Sequence, residues 1–321
     1  MSGTIETPEP GAVPDAPPAN WVDRFAPPAT RPYLRLSRAD RPIGTWLLLL
    51  PCWWGLGLAL VATGARPSSH DLWIAVACAL GAFLMRGAGC TWNDIADRRV
   101  DAAVARTRAR PIPSGQVTVR QALIWLAAQA GIALLILLTL PPVAIALGVL
   151  SLLPVALYPF AKRVTWWPQA VLGIAFNWGA LLAYAAHAGR VEAPAVLLWL
   201  GGIAWTLFYD TIYAHQDAED DALIGVKSTA RLFGEATPAW LRRFLVATVT
   251  LLGLAAVLAG LEGSPLALVL ALGGPWAMGW HLAWQLRLFD PQDGQGLLRL
   301  FRSNRDAGLI PVVAFALAAL A

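Results

Sequence analysis

Two acidic clusters interrupt a chain that is otherwise 57% hydrophobic and only 14% charged. One holds Asn93, Asp94, Asp97 and Asp101; the other holds Asp210, Asp217, Asp220 and Asp221. Carboxylates are costly in or beside hydrocarbon, and fold stability alone supplies no reason to keep two such groups there. Divalent cations and a phosphorylated substrate would supply one. Magnesium favours oxygen ligands, commonly bridges one or two protein carboxylates to substrate phosphates, and offsets the repulsion that would otherwise raise the carboxylate pKa values. Asn93, Asp94, Asp97, Asp101, Asp210, Asp217 and Asp221 are therefore candidate ligands for Mg2+. On a helix Asn93, Asp97 and Asp101 recur every four residues, about 40° apart around the axis. Asp210, Ala214, Asp217 and Asp221 follow a stacked i, i+4, i+7, i+11 pattern. A solvated acidic helix end beside arginines explains either cluster alone; it explains a matched pair less well.

Carboxylates alone would repel a diphosphate, so basic groups must complement them. Arg106, Arg108 and Arg110 precede a Pro-Ile-Pro-Ser-Gly turn, Lys227 and Arg231 follow the second cluster, and Tyr158 and Lys162 lie in a segment between them. Arg86 sits about three turns before Asp97 on a similar helical face. Arginine clamps phosphate oxygens with paired donors, and lysine acts as a point charge. The chemistry that such a site suits is ionisation of an allylic diphosphate at its C1–O bond. An aromatic face would stabilise the resulting cation, with Tyr158, Tyr209, Tyr213, Phe176 and Trp178 as candidates whose default role is packing. Asn177 either orients a polar substrate group or bonds between helices. His215 is the histidine best placed near the clusters, and the sequence offers no Ser-His-Asp or thiol–histidine arrangement.

Long apolar helices must carry these residues. A soluble chain would contain about 25% charged residues. Here apolar stretches close to 20 residues recur at 43–63, 72–92, 120–140, 142–160, 168–187, 193–212, 241–261, 265–285 and 307–321. The expected fold is all-α, a polytopic membrane protein with nine transmembrane helices. Of the 24 lysines and arginines, all but Arg66, Arg86 and Arg190 fall in the amino-terminal tail, in loops on one side or, as Arg120, Arg242 and Arg243, at the span ends that those loops join. The positive-inside rule then puts the amino terminus and both clusters in the cytoplasm. The loop charges fit a bacterial cytoplasmic membrane and leave a mitochondrial inner membrane open. Asp97 and Asp101 precede Asp217 and Asp221 by the same interval, with four spans between, which suggests a parallel internal repeat. The proline-rich start reads as a disordered or loosely ordered cytoplasmic tail over 1–30, followed by a single transmembrane domain over 31–321. Cys52, Cys78 and Cys90 read as small buried hydrophobes. The net charge of +4 follows topology and is no nucleic-acid footprint. No coiled coil or interaction domain is visible, so no obligate protein partner is expected beside the lipid bilayer.

The run Asn93-Asp94-Ile95-Ala96-Asp97-Arg98-Arg99-Val100-Asp101 and the spacing Asp210, Ala214, Asp217, Asp221 resemble the two signatures of the UbiA family of intramembrane aromatic prenyltransferases. Asp40 through Trp46, Arg106 through Gly115, and Asp210 through Arg231 resemble the branch that acts on 4-hydroxybenzoate. The resemblance runs from about residue 33 to the carboxyl terminus. It implies nine helices around a central cavity capped by both motifs. It also implies magnesium–diphosphate binding by Asn93, Asp97, Asp101, Asp210, Asp217 and Asp221. Tyr158 and Lys162 are similar to residues that hold the diphosphate and position the reaction centre, and Arg41 to one that recognises the acceptor carboxylate or organises the pocket. The implied reaction joins a polyprenyl diphosphate to the carbon ortho to the hydroxyl of 4-hydroxybenzoate, as in ubiquinone biosynthesis. A relative using 1,4-dihydroxy-2-naphthoate is the nearest alternative, and a cation or phosphate transporter is a non-enzymatic one.

Overall fold

The computed structural model describes residues 20–103, 107–218, 222 and 225–321. All regular structure among them is helical. The helices are α1 (Trp21–Phe25), α2 (Arg31–Leu36), α3 (Ile43–Thr63), α4 (Ser69–Ala103), α5 (Val119–Leu137), α6 (Pro142–Leu150), α7 (Leu152–Val164), α8 (Pro168–Ala188), α9 (Ala193–Ala214), α10 (Thr229–Phe233), α11 (Thr237–Gly260), α12 (Pro265–Leu288) and α13 (Gly294–Ala318). In hydrocarbon every backbone N–H and C=O must be satisfied within the segment, which is why the apolar runs form helices.

Among the described residues, eight helical segments are long and apolar enough to cross a bilayer, where the sequence led us to expect nine. The chain is thus a multi-pass membrane protein. The expected span at 307–321 is the last part of α13, whose earlier turns carry Arg299, Arg302, Arg305 and Asp306 and keep it out of that set. The expected span at 142–160 is two helices, α6 and α7, meeting at Ser151. Proline cannot donate to the carbonyl four residues back, and Pro154 opens the second helix just beyond the break. Pro51, Pro275 and Pro311 instead lie inside uninterrupted helices. Helix α4 has 35 residues and a length of about 50 Å. That exceeds the roughly 30 Å of hydrocarbon, so α4 carries its charged end past the apolar layer.

The chain divides into two compact units, one made of the described residues of 1–44 with 83–134, the other of 45–82 with 135–321. In the first, Leu36, Ile95, Ile112, Val117 and Ala122 form an apolar cluster with Tyr33 and Trp125 packed against it. Trp125 Nε1 donates to Ser37 Oγ at 2.7 Å, and Ser37 donates on to Gln129 at 3.1 Å. Residues 20–30, expected in the loose tail, include the helical turn α1. Asn20 caps it, Val22 is buried, and Trp21 Nε1 donates to the Ala39 carbonyl. Residues 1–19 lie outside the described residues.

The second unit is built around buried tryptophans. The rings of Trp54 and Trp205 lie 4.9 Å apart. Trp54 Nε1 donates to Gly308 O at 2.7 Å and Trp205 Nε1 to Asn304 Oδ1 at 2.9 Å, while Asn304 and Gln285 exchange amide bonds. At one end, His187 ties three helices together: its Nδ1 lies 2.5 Å from Asp71 Oδ1 and its Nε2 2.9 Å from Thr63 Oγ1. Leu135, Leu153, Leu157, Trp276 and Trp280 are exposed. Apolar side chains facing outward on long helices make a surface suited to lipid.

Candidate active site

In the first unit Asn93, Asp94, Asp97 and Asp101 all lie in the unbroken α4, as their spacing requires. Asp94 is fully buried and Asp97 and Asp101 nearly so. Asp94 and Asp101 are seven residues apart, two turns with only about 20° between them, so they face the same way some 10 Å apart along the axis. Arg110 reaches both, with Nη1 2.9 Å from Asp101 Oδ2 and 3.4 Å from Asp94 Oδ1. Arg38 adds a second guanidinium to Asp94 Oδ1 at 2.6 Å. All the charge on Asp94 is therefore met at one oxygen. Its Oδ2 is buried without a hydrogen bond among the described residues.

Arg38 is the one described residue other than glycine with positive φ, at 58°. That conformation costs about 1–2 kcal/mol for a residue with a side chain. Its side chain explains why it persists: besides Asp94, it donates to the Arg35 carbonyl. Burial opposes the guanidinium charge, yet the attraction of Asp94 outweighs it and holds the Arg38 pKa above its ordinary value. The loop bearing Arg110 is locked in turn. Thr107 Oγ1 donates to the Asp101 carbonyl, Arg110 N to Thr107 O, and Ser114 N and Oγ to Arg110 O. Gly115, at φ 78°, closes the turn where a side chain would be strained.

Arg86 and Gly44 also share this unit. A Cβ on Gly44 would fall 2.5 Å from the Arg86 guanidinium, so the glycine is what gives that arginine room. Arg41 Nε donates to Asp40 Oδ1 at 3.4 Å, and Arg108 is exposed. Arg106 lies outside the described residues.

The second cluster, in the other unit, does not keep the expected register. Helix α9 ends at Ala214, and His215–Asp217 form a 3-10 turn. Asp210 is thus on the last helical turn, whereas Asp217 sits where the winding has tightened. Both are half-buried; Asp220 and Asp221 lie outside the described residues. His215 anchors the turn, with Nε2 3.1 Å from Thr237 Oγ1 and its ring against Phe289, and Gln216 donates to Gly294 O.

Several residues expected to bind substrate make contacts within this unit. Asn177 Nδ2 donates at 2.8 Å to both Gly173 O and Thr206 Oγ1. Its Oδ1 lies against Gly202, where no side chain intervenes. Thr206 donates to the Tyr209 hydroxyl at 3.1 Å, and Tyr209 is 1% exposed, packed on Trp205 and Phe301. Tyr213 stacks on Phe301 at 4.3 Å. Lys227 ends α7: its backbone N–H donates to Lys162 O, its Nζ to Val164 O, each at 3.1 Å, and its ammonium lies 5.9 Å from the Trp166 ring centroid. A cation at a helix C-terminus meets the free carbonyls and the negative end of the dipole. Tyr158 and Lys162 lie on α7, each half-buried.

Among the described residues, no three of His, Cys, Asp and Glu gather as a metal cage. The donors on α4 nevertheless fit magnesium, which uses few protein ligands and keeps the rest for water and phosphate. Asn93, Asp97 and Asp101 offer oxygen along one helix face, and Arg110 occupies only one oxygen of Asp101. Arg38 and the role of Arg110 as a bridge escaped the sequence reading. Arg38 stands 56 residues from its partner, and neither spacing nor periodicity joins them.

Comparison with known proteins agrees with the fold. A model described as the UbiA prenyltransferase family matches residues 48–305. A relative from Bos taurus named "4-hydroxybenzoate polyprenyltransferase, mitochondrial" is 47% identical over 309 residues, covering 94% of this chain and 80% of its own. Its namesake from Arabidopsis thaliana is 45% identical over 293 residues, covering 91% and 70%. Among solved structures, the apo UbiA homolog from Aeropyrum pernix K1 has a TM-score of 0.69 at 24% identity, covering 86% of this chain and 98% of its own. A UbiA homolog from Archaeoglobus fulgidus bound to GPP and Mg2+ has a TM-score of 0.63 at 18% identity, covering 90% and 100%.

Proposed function

This chain belongs to the UbiA prenyltransferase family, and on that premise we propose that it transfers a polyprenyl group from polyprenyl diphosphate to the carbon ortho to the hydroxyl of 4-hydroxybenzoate. The observation that carries the reading is the 45–48% identity, over about nine-tenths of the chain, to relatives named for that activity. It favours 4-hydroxybenzoate over a naphthoate acceptor, and an enzyme over a transporter.

In this reading Asn93, Asp97, Asp101, Asp210, Asp217 and Asp221 hold magnesium and, through it, the diphosphate. Magnesium, when bound, neutralises charge on the departing diphosphate. Lys162, Arg86, Arg106 and Arg108 bind the diphosphate oxygens directly, where fixed donors stabilise charge that develops as the C1–O bond breaks. The Tyr158 ring flanks the allylic cation, and Arg41 meets the acceptor carboxylate. The phenol oxygen feeds electron density to the ortho carbon, which attacks C1. Loss of the ring proton restores aromaticity and leaves prenylated 4-hydroxybenzoate and diphosphate. The asymmetry of lysine and arginine assigns the amino terminus and both motifs to the cytoplasmic face of a bacterial inner membrane. In a mitochondrion, as the relatives are named, the same rule assigns them to the matrix face.

The test is a side-by-side assay of the detergent-purified chain with magnesium, an allylic diphosphate, and either 4-hydroxybenzoate or 1,4-dihydroxy-2-naphthoate. Transfer to 4-hydroxybenzoate that stops on chelation is expected. Transfer to the naphthoate alone would overturn the acceptor, and undiminished turnover in chelator would overturn the metal.

A further inference from the structure

We propose that Asp94 is a positioning residue and not a metal ligand: through Arg110 it fixes the carboxylate of Asp101, and Arg38 secures Asp94 in turn. The inference rests on the magnesium reading above and deepens it, by separating the acidic residues of α4 into those that meet the cation and one that orients them.

Three observations carry it. First, Asp94 is fully buried and both its ion pairs fall on Oδ1, with guanidinium nitrogens at 2.6 and 3.4 Å. Two arginines hold this carboxylate, while the other oxygen is sealed from solvent among the described residues. Second, one nitrogen of Arg110 bridges Asp94 to Asp101 Oδ2. With Oδ2 engaged, Oδ1 of Asp101 is the oxygen that a cation would take, and its direction is set by the guanidinium. Carboxylates that ligate metals are commonly oriented this way by outer hydrogen bonds. Third, Arg38 adopts a strained positive φ and places its guanidinium on Asp94. Backbone strain survives where the surrounding structure over-determines it. The helix itself allows the division: Asp94 and Asp101 lie about 20° apart around the axis, close enough for one arginine, whereas Asn93 and Asp97 point up to 100° from Asp94. Two arginines against two aspartates also leave this network neutral.

The test uses Mn2+ as a paramagnetic stand-in for magnesium, with free Mn2+ read by electron paramagnetic resonance on the purified full chain without prenyl donor. The isosteric variants Asp94→Asn and Arg110→Gln should each weaken Mn2+ binding about 10–100-fold. The double variant should be no weaker than the worse single, because both act through one bridge. Asp97→Asn is the direct-ligand control and should lose more than either. Losses that multiply in the double variant, or an Arg110→Gln variant that binds as tightly as the wild type or tighter, would overturn the proposal. If a single variant fails to fold, the double removes both charges of the pair together and carries the test. Mn2+ affinity within about twofold of wild type would then sink the idea, being well short of the loss expected for an outer partner. A wild type that binds no Mn2+ would overturn the metal reading itself, which separates the two failures.

Discussion

The two acidic regions share a residue pattern and differ in how the chain holds it. The first keeps an unbroken α-helix through Asp101, and its buried carboxylates are wired to arginines from elsewhere in its unit. The second leaves the α-helix at Ala214, and the helix that carries it is packed on rings, with Trp205, Tyr209 and Tyr213 gathered near Phe301. Ion pairs brace the first region, and ring contacts brace the helix that carries the second. A buried ion pair tolerates neither partner's removal, because the survivor is left as an uncompensated charge. A packed helix contact is instead sensitive to volume.

This contrast can be broken at several points. The largest effects should come from Asp97→Ala and Asp217→Ala, each expected to lower kcat/KM by at least about 100-fold. Prenyl transfer retained by the Asp217 variant would leave the second region outside the chemistry. Next come two glycines. Gly202→Ala would drive a Cβ into the buried Asn177 amide, and overpacking there should cost about 1–3 kcal/mol in a detergent melt. Gly44→Ala meets the guanidinium of Arg86, a flexible side chain that can withdraw. It should spare stability and raise KM, and an equal loss of stability at both sites would erase the distinction.

Smaller again is Lys227→Met, which removes the cation from the end of α7 and should cost about 0.3–1 kcal/mol, leaving the KM for the prenyl donor unchanged. A raised donor KM would return Lys227 to the substrate. The smallest effect concerns Glu192, outside the spans. Hydrogen bonds from Tyr184, then from Arg190, hold its pKa below the ordinary 4.5. Its contribution is therefore complete above pH 4.5 and is lost as pH falls through the lowered value in the folded state. Thermal melts of Glu192→Gln and wild type should differ at pH 6 and converge in acid; a gap that widened on acidification would contradict that sign.

Much of this was legible in the residues. Among the described residues, helix period and hydropathy found every long helix, because a chain in lipid has few other ways to satisfy its backbone, and the four-residue repeat of Asn93, Asp97 and Asp101 was read correctly as helical. The expectation failed at His215, where the i, i+4, i+7 pattern suits an α-helix and the chain tightens to a 3-10 turn. That turn is held by Thr237, Phe289 and Gly294, partners distant in sequence. Asn177 and Tyr209 show why partners are harder to read than helices: a polar group on an apolar helix looks the same whether it awaits a ligand or bonds to the next helix.

The sequence by itself determined that this is a multi-pass all-helical membrane protein of a prenyltransferase family, with oxygen-rich motifs suited to magnesium and diphosphate. Those properties follow from periodicity, burial cost and residue type, which are local or additive along the chain. Only the tertiary structure decided which charges are spent on one another. Arg38 and Arg110 reach Asp94 and Asp101 through space, and a buried ion pair depends on a few ångströms of approach that no spacing in the sequence encodes.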